Sequence, residues 1–301
     1  MNKQTYWLIG ILALVVIIFI IIQSSQPKLE ETASSTFAEF DTLGITKIKL
    51  DAPGNEKDIT LERTGKNWQL TAPIQFSAAD RSIEFTFKSL AEIPKNPDVI
   101  SENPEKQHKF EVDSLGTNVK IYKGDELVAD FIAGKTDQMR AHTYLRERNS
   151  NKVVSVPGNL SYIINQPLDQ WRDKSIVNIP GEELDAIEIV KGDTYISLAR
   201  QDTLWQVLKN GEAITPPEQN KIDRIVQSFS PLRARGFAKD TEYLDWQNPQ
   251  VTIKLLPSGT ETKIINFIKE NDNSYYTKVS DKEATYKTPS SLLDRFIEDI
   301  K

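Results

Sequence analysis

Two histidines, many carboxylates and no cysteine are the groups in this 301-residue chain whose types and spacing bear on catalysis or metal binding. His108 and His142 lie far apart in the sequence, and neither has a second histidine at a metal-ligand spacing such as His-x-x-His. Without cysteine, thiolate metal sites, iron–sulfur clusters and cysteine nucleophiles are excluded. We therefore expect no metal, no cofactor and no catalytic residue, and a protein that is not an enzyme.

The sequence also lacks the Gly-rich phosphate loops and the nucleophile elbow of common enzyme classes. The acids Glu182, Glu183 and Asp185 are typical of a solvated turn, and they do not define an acid–base pair without geometry. Ser25-x-x-Lys28 has the spacing of a serine–lysine hydrolase motif, which we attribute to chance. A hydrolase acting on envelope polymers stays open as a minor alternative.

Five residues are candidate contacts for a partner or ligand: Trp68, Trp205, Arg233, Arg235 and Phe237. The tryptophans offer flat faces for stacking on a ligand, although packing in a hydrophobic core is the favoured interpretation. The arginines flank the phenylalanine and suit an acidic partner or an anionic ligand. A solvated loop is the simpler explanation of this basic segment.

The chain carries 37 basic and 43 acidic residues, a net charge of -6. A nucleic-acid-binding protein would present a basic surface to the phosphates. We therefore expect no nucleic-acid partner.

An uninterrupted apolar run covers residues 6–22, and as a helix it would reach across most of the hydrocarbon core of a membrane. We expect a transmembrane signal anchor at 1–22, in preference to a cleaved signal peptide or a core helix, and a tether at 23–40. Lys3 precedes the run, which favours a cytoplasmic N-terminus. The expected topology is single-pass, with the bulk of the chain extracytoplasmic.

The remainder of the chain contains an internal repeat. The segment 59–70 aligns without a gap with 196–207, and Ile, Leu, Arg, Trp and Gln coincide. Further on, Val119, Ile121 and Tyr144 align with Val251, Ile253 and Tyr276. We expect two repeats, at 41–180 and 181–301.

Each repeat combines alternating apolar and polar stretches, which predict antiparallel strands, with helical periods. The segment Ile83–Phe87 alternates like a strand, but its counterpart around Ile222–Phe229 has only the helical period, so we predict a helix in both. A closing helix is expected from Thr288. The predicted fold class is α+β: an N-terminal transmembrane helix followed by two tandem duplicated domains, each a mainly antiparallel sheet with helices packed on it.

Several segments carry a resemblance to a known family. They are Trp68–Leu70 with Pro73, Phe110–Ile121, Phe131–Gly134, Val153–Val156 and Tyr243–Ile253. The chain resembles the bacterial membrane-anchored proteins of domain-of-unknown-function family 4340, which occur beside gliding-motility-type ABC transporter components. The resemblance implies an extracytoplasmic auxiliary protein and supplies no catalytic residues. With the apolar run, it implies a single-pass protein of the bacterial inner (cytoplasmic) membrane, with the bulk of the chain periplasmic or extracytoplasmic.

These observations favour a non-enzymatic, single-pass accessory or scaffolding subunit of a membrane complex. Its expected partners are inner-membrane proteins, among them ABC transporter components, with residues 6–22 contacting the membrane. The alternative is an envelope ligand-binding module for a glycan, lipid or peptide in the groove between the repeats.

Overall fold

The computed structural model describes residues 42–54, 58–202, 204–214, 218–239 and 243–293. The predicted transmembrane helix and tether lie outside these residues. In the part of the chain that is described, no helix has the length and apolar character needed to cross a membrane.

The first large sheet has nine strands in the spatial order β4-β3-β2-β1-β6-β7-β8-β9-β5. Its strands are β1 (Lys47–Asp51), β2 (Ile59–Thr64), β3 (Asn67–Ala72), β4 (Phe76–Ser77), β5 (Asp98–Ser101), β6 (Thr117–Lys123), β7 (Glu126–Thr136), β8 (His142–Glu147) and β9 (Val153–Pro157). Its neighbours whose register is described are antiparallel. The helices of this half of the chain are α1 (Asp80–Ala91), α2 (Gln107–Phe110), α3 (Leu160–Ile164) and α4 (Leu168–Trp171).

The second large sheet also has nine strands, in the order β14-β13-β12-β11-β17-β18-β19-β20-β16. Its strands are β11 (Leu184–Lys191), β12 (Thr194–Gln201), β13 (Leu204–Lys209), β14 (Glu212–Ala213), β16 (Gly236–Phe237), β17 (Val251–Pro257), β18 (Lys263–Asn271), β19 (Ser274–Val279) and β20 (Tyr286–Pro289). Helix α5 (Gln219–Phe229) precedes a two-stranded sheet made by β10 (Ser175–Val177) and β15 (Leu232–Arg233). The two large sheets thus have the same strand order, position by position.

The chain divides into two compact units. Unit 1 consists of the described residues up to Thr60 together with Phe85–Asn165, and unit 2 consists of Leu61–Glu84 together with the residues from Gln166 onward. The segment 61–84, which precedes most of the first sheet in sequence, therefore belongs to unit 2.

The α+β fold class was wrong. The described chain consists mostly of antiparallel strands in two large sheets, and only α1 and α5 are longer than five residues. Strand pairing also displaces the start of the predicted closing helix: Thr288 and Pro289 belong to β20, where backbone pairing with β19 satisfies their polar groups, and the helical residues begin at 291.

The main core of unit 2 lies between α5 and the second large sheet. Ile222, Ile225 and Phe229 of α5 are buried against strand residues such as Ile253 and Phe267. The apolar positions of α5 recur at the helical period, which places them on one face of the helix. Burial of this face fixes α5 on the sheet.

In unit 1, a smaller apolar cluster lies on the other side of the strands from most of the buried residues of β6. Val112, in the turn after α2, packs with Ile132 and Val153, and the rings of Phe110 and Tyr144 cover this cluster. The turn thus lies directly on the sheet and forms one wall of the cavity described below.

Candidate functional site

Trp68 and Trp205 occupy matching positions in β3 and β13 and are only 8% and 6% exposed. The guanidinium of Arg200 lies 4.8 Å from the centre of the Trp205 ring. Most of each indole surface is therefore covered by the protein.

The two histidines have the same local arrangement. His108 Nδ1 lies 3.0 Å from Asp113 Oδ2, and His142 Nδ1 lies 3.0 Å from Asp137 Oδ2. The hydrogen bond from His142, with that from the Ala141 N–H, lowers the pKa of Asp137. Within the described ranges no group of three or more histidine and carboxylate side chains is placed to hold a metal ion.

Phe237 is buried in an aromatic cluster of unit 2. The guanidinium of Arg172 lies 3.4 Å from the centre of its ring and 4.5 Å from that of Phe76. The Phe76 and Tyr286 rings lie 5.4 and 5.3 Å from the Phe237 ring. Burial raises the pKa of Tyr286 to about 12, so its phenol stays neutral at physiological pH.

Arg233 and Arg235 lie on either side of buried Ala234, and both side chains are exposed. Arg233 is 61% exposed, with its Nη2 3.8 Å from Asp173 Oδ1. The backbone between them is fixed, because Ala234 N–H donates to Lys174 O and Arg235 N–H to Lys287 O. The structure thus separates the five predicted contact residues: only the two arginines reach solvent together.

Aromatic residues further along the same connection were not among the predicted contacts. Tyr243 is 95% exposed, and Trp246 is half-buried, with Lys278 Nζ 5.9 Å from the centre of its ring. Both line a cavity of about 380 Å³, which Arg172, Lys239 and Glu283 also border. The aromatic pair beside Pro249 was visible in the sequence, but nothing in a single sequence distinguishes an exposed aromatic side chain from a buried one.

A second cavity, of about 500 Å³, lies in unit 1. Its lining includes Asp51, Asn118, Ile132 and Arg146, together with Ser114 of the turn after α2. Arg146 Nε donates to Val112 O at 2.8 Å, and its Nη1 donates to the carbonyl groups of residues 147, 148 and 150. Sequence reasoning missed this arginine, because a charged residue in an alternating strand usually faces open solvent.

A family model for a domain of unknown function, DUF4340, matches residues 68–249, which is more than half of the chain. The chain belongs to the DUF4340 family. The match begins at Trp68 in β3 and ends at Pro249, just before β17, so it includes Arg146, both exposed arginines and Trp246. No curated protein and no solved structure matches the chain significantly.

Proposed function

We propose that this DUF4340 protein is a non-enzymatic accessory or scaffolding subunit that docks onto other proteins of a membrane complex outside the cytoplasm. The observation that carries the proposal is the exposed arginine pair Arg233 and Arg235 on a fixed backbone segment of unit 2. Arginine, tyrosine and tryptophan are the residues that most often dominate the binding energy of protein interfaces. The segment 233–246 contains all three residue types.

The chemistry of this surface favours an acidic partner. The Arg235 side chain forms no hydrogen bond or ion pair within the described residues, and Arg233 has only the long contact with Asp173. Since the chain as a whole is acidic, this local positive charge would orient a partner that presents carboxylates. Following the family resemblance, we propose components of an ABC-type transporter as the partners.

The test is in-cell crosslinking of the full-length protein, mild-detergent purification and mass spectrometry, comparing wild type with R233E/R235E. We expect wild type to recover partner proteins in near-equal amounts and the double variant to lose at least nine-tenths of them. The matched control is K66E/K191E, which makes the same charge change at two exposed positions of unit 2. Equal recovery with R233E/R235E and wild type, at unchanged thermal midpoint, would refute the proposal.

The cavity beside Tyr243 and Trp246 favours a second candidate, a ligand-binding module for a glycan. Sugar rings stack on exposed aromatic faces, and Glu283 adds an acceptor for hydroxyl groups. The variant Y243A/W246A should abolish glycan retention in native mass spectrometry if this candidate is right. If the wild type retains no glycan and R233E/R235E loses its protein partners, the result would favour docking over glycan binding.

A further inference from the structure

The cavity of unit 1 is built on a row of four residues that cross four neighbouring strands. In the register of β1, β6, β7 and β8, Asp51 pairs with Asn118, Asn118 with Ile132, and Ile132 with Arg146. Residues paired in this way project from the same face of a sheet. The row therefore carries an acid at one end and a cation at the other, with Asn118 and the buried Ile132 between them.

The basic end is preorganised, and its only nearby negative charge among the described residues, that of Asp113, acts on Arg146 through space without a direct ion pair. Backbone carbonyl groups hold Nε and Nη1 of Arg146, and burial lowers the pKa of its guanidinium. Arg146 forms no ion pair with a carboxylate of the described chain, and no partner for its Nη2 is found there. A partly buried cation that neutral carbonyls hold in place is suited to receive a carboxylate.

The acidic end is suited to a hydrogen-bond donor. Asn118 Nδ2 donates to Asp51 Oδ2 at 3.0 Å, which fixes the orientation of the amide. The buried Asn118 Oδ1 then has no hydrogen-bond partner among the described residues. Asp51 is exposed and carries a negative charge, so an ammonium group would satisfy this end of the row.

The turn after α2 forms a rigid wall beside this row. A Cβ on Gly116 would lie 2.5 Å from Cγ2 of Ile132 and closer still to the Glu111 carbonyl oxygen, so the turn has no room to approach the sheet further. The carboxylate of Asp113 in this wall is already engaged by His108 and by the Leu115 N–H. Arg148 also lines the cavity, with its Nε 3.9 Å from Asp130 Oδ1. Apart from Arg148, the charges left for a ligand are those at the two ends of the row.

We propose that this cavity binds a short zwitterionic peptide, with its carboxylate at Arg146 and its amino group at Asp51. Three strand spacings separate the Cα atoms of the two residues, roughly 14 Å. After their side chains are allowed for, this distance suits two or three residues better than a single amino acid. Ser114 and Gly116 of the turn also line the cavity. The proposal uses residues of unit 1 only and does not depend on docking through Arg233 and Arg235.

The test titrates the full-length protein with alanine, Ala-Ala and Ala-Ala-Ala by NMR or calorimetry at pH 7. We expect the peptides to bind at least tenfold more tightly than alanine. Amidation of the carboxyl end and acetylation of the amino end should each weaken the binding of Ala-Ala at least tenfold. Absence of binding at peptide concentrations up to about 20 mM, or indifference to both blocking groups, would overturn the proposal.

Variants separate the two ends. R146Q should abolish the preference for a free carboxylate, and D51N should abolish the preference for a free amino group. The matched control is R200Q: Arg200 also donates to backbone carbonyl groups, of Leu184 and Gly181, but it does not line this cavity. If R146Q does not fold, S114W fills the cavity from an exposed rim position and must abolish binding. Retained binding in S114W would contradict the assigned site.

Discussion

At the residue scale, Trp205 packs in the core of unit 2 beneath the Arg200 guanidinium. We expect Trp205→Ala to lower the free energy of unfolding by about 3–5 kcal/mol, because it removes a large buried ring and leaves a cavity. Urea unfolding measures this effect. The control is Leu204→Ala at the exposed neighbouring position. We expect this substitution to change the free energy of unfolding by less than about 0.5 kcal/mol. An unchanged stability for Trp205→Ala would instead assign the indole to a ligand contact.

Gly134 is the second residue whose role depends on contacts across the fold. A Cβ there would lie 2.7 Å from Cγ1 of Val112 and closer to the Phe110 carbonyl oxygen, so Gly134→Ala should push the turn off the sheet. We expect the free energy of unfolding, measured by thermal denaturation, to fall by at least about 2 kcal/mol. Gly236→Ala is the control, since a Cβ at that glycine would meet no described atom within 4 Å. Equal stability of both variants would show that the turn does not rest on β7.

At the element scale, Glu270 joins β18, β19 and β20. Lys287 Nζ and the Tyr276 hydroxyl donate to its Oε1, and the Ser274 hydroxyl donates to its Oε2. The hydrogen bond from Lys287, followed by that from Ser274, lowers the pKa of Glu270 below its usual value of 4.5. The pairing therefore stabilises the fold above that value, and the stabilisation is lost as the pH falls through the lowered pKa.

We expect Glu270→Gln to lower the free energy of unfolding by about 1 kcal/mol at pH 7, with the difference from wild type shrinking below pH 4.5. Chemical denaturation at several pH values measures it. Glu261→Gln, at an exposed acid in the turn before β18, is the matched control and should track wild type throughout. A difference that grows toward low pH would refute the assignment.

The helices show which elements a local sequence pattern can predict. The helical prediction for Ile83–Phe87 is confirmed by α1, because the counterpart in the other repeat removed the ambiguity of its period. The start predicted for the closing helix at Thr288 is wrong: Thr288 and Pro289 pair with β19, and the helical residues begin at 291. Strand pairing competes for the same backbone groups, and no local pattern reports that competition. The segment Leu168–Trp171 forms only one helical turn after Pro167.

At the scale of the whole molecule, the units do not follow the order of the sequence. Phe76 belongs to unit 2, where it contacts Phe237 and Arg172. We expect Phe76→Ala to increase amide hydrogen exchange in β16 and β20, because the substitution removes one ring from the aromatic cluster that contains Phe237 and Tyr286 of these strands. Leu127→Ala, an exposed residue of unit 1, should leave the exchange of these strands unchanged. Faster exchange confined to β6 and β7 in Phe76→Ala would contradict this division of the chain.

The sequence by itself determined the repeat, most strand positions, α1 and α5, and the resemblance to the DUF4340 family. These follow from short-range periodicity and from residue identities that one chain displays twice. Only the tertiary structure decided which residues meet: the row from Asp51 to Arg146, the stacking of Arg172 on Phe237, and the exposure of Arg233, Arg235 and Tyr243. These contacts join residues distant in sequence through strand register and packing, which a local pattern does not encode.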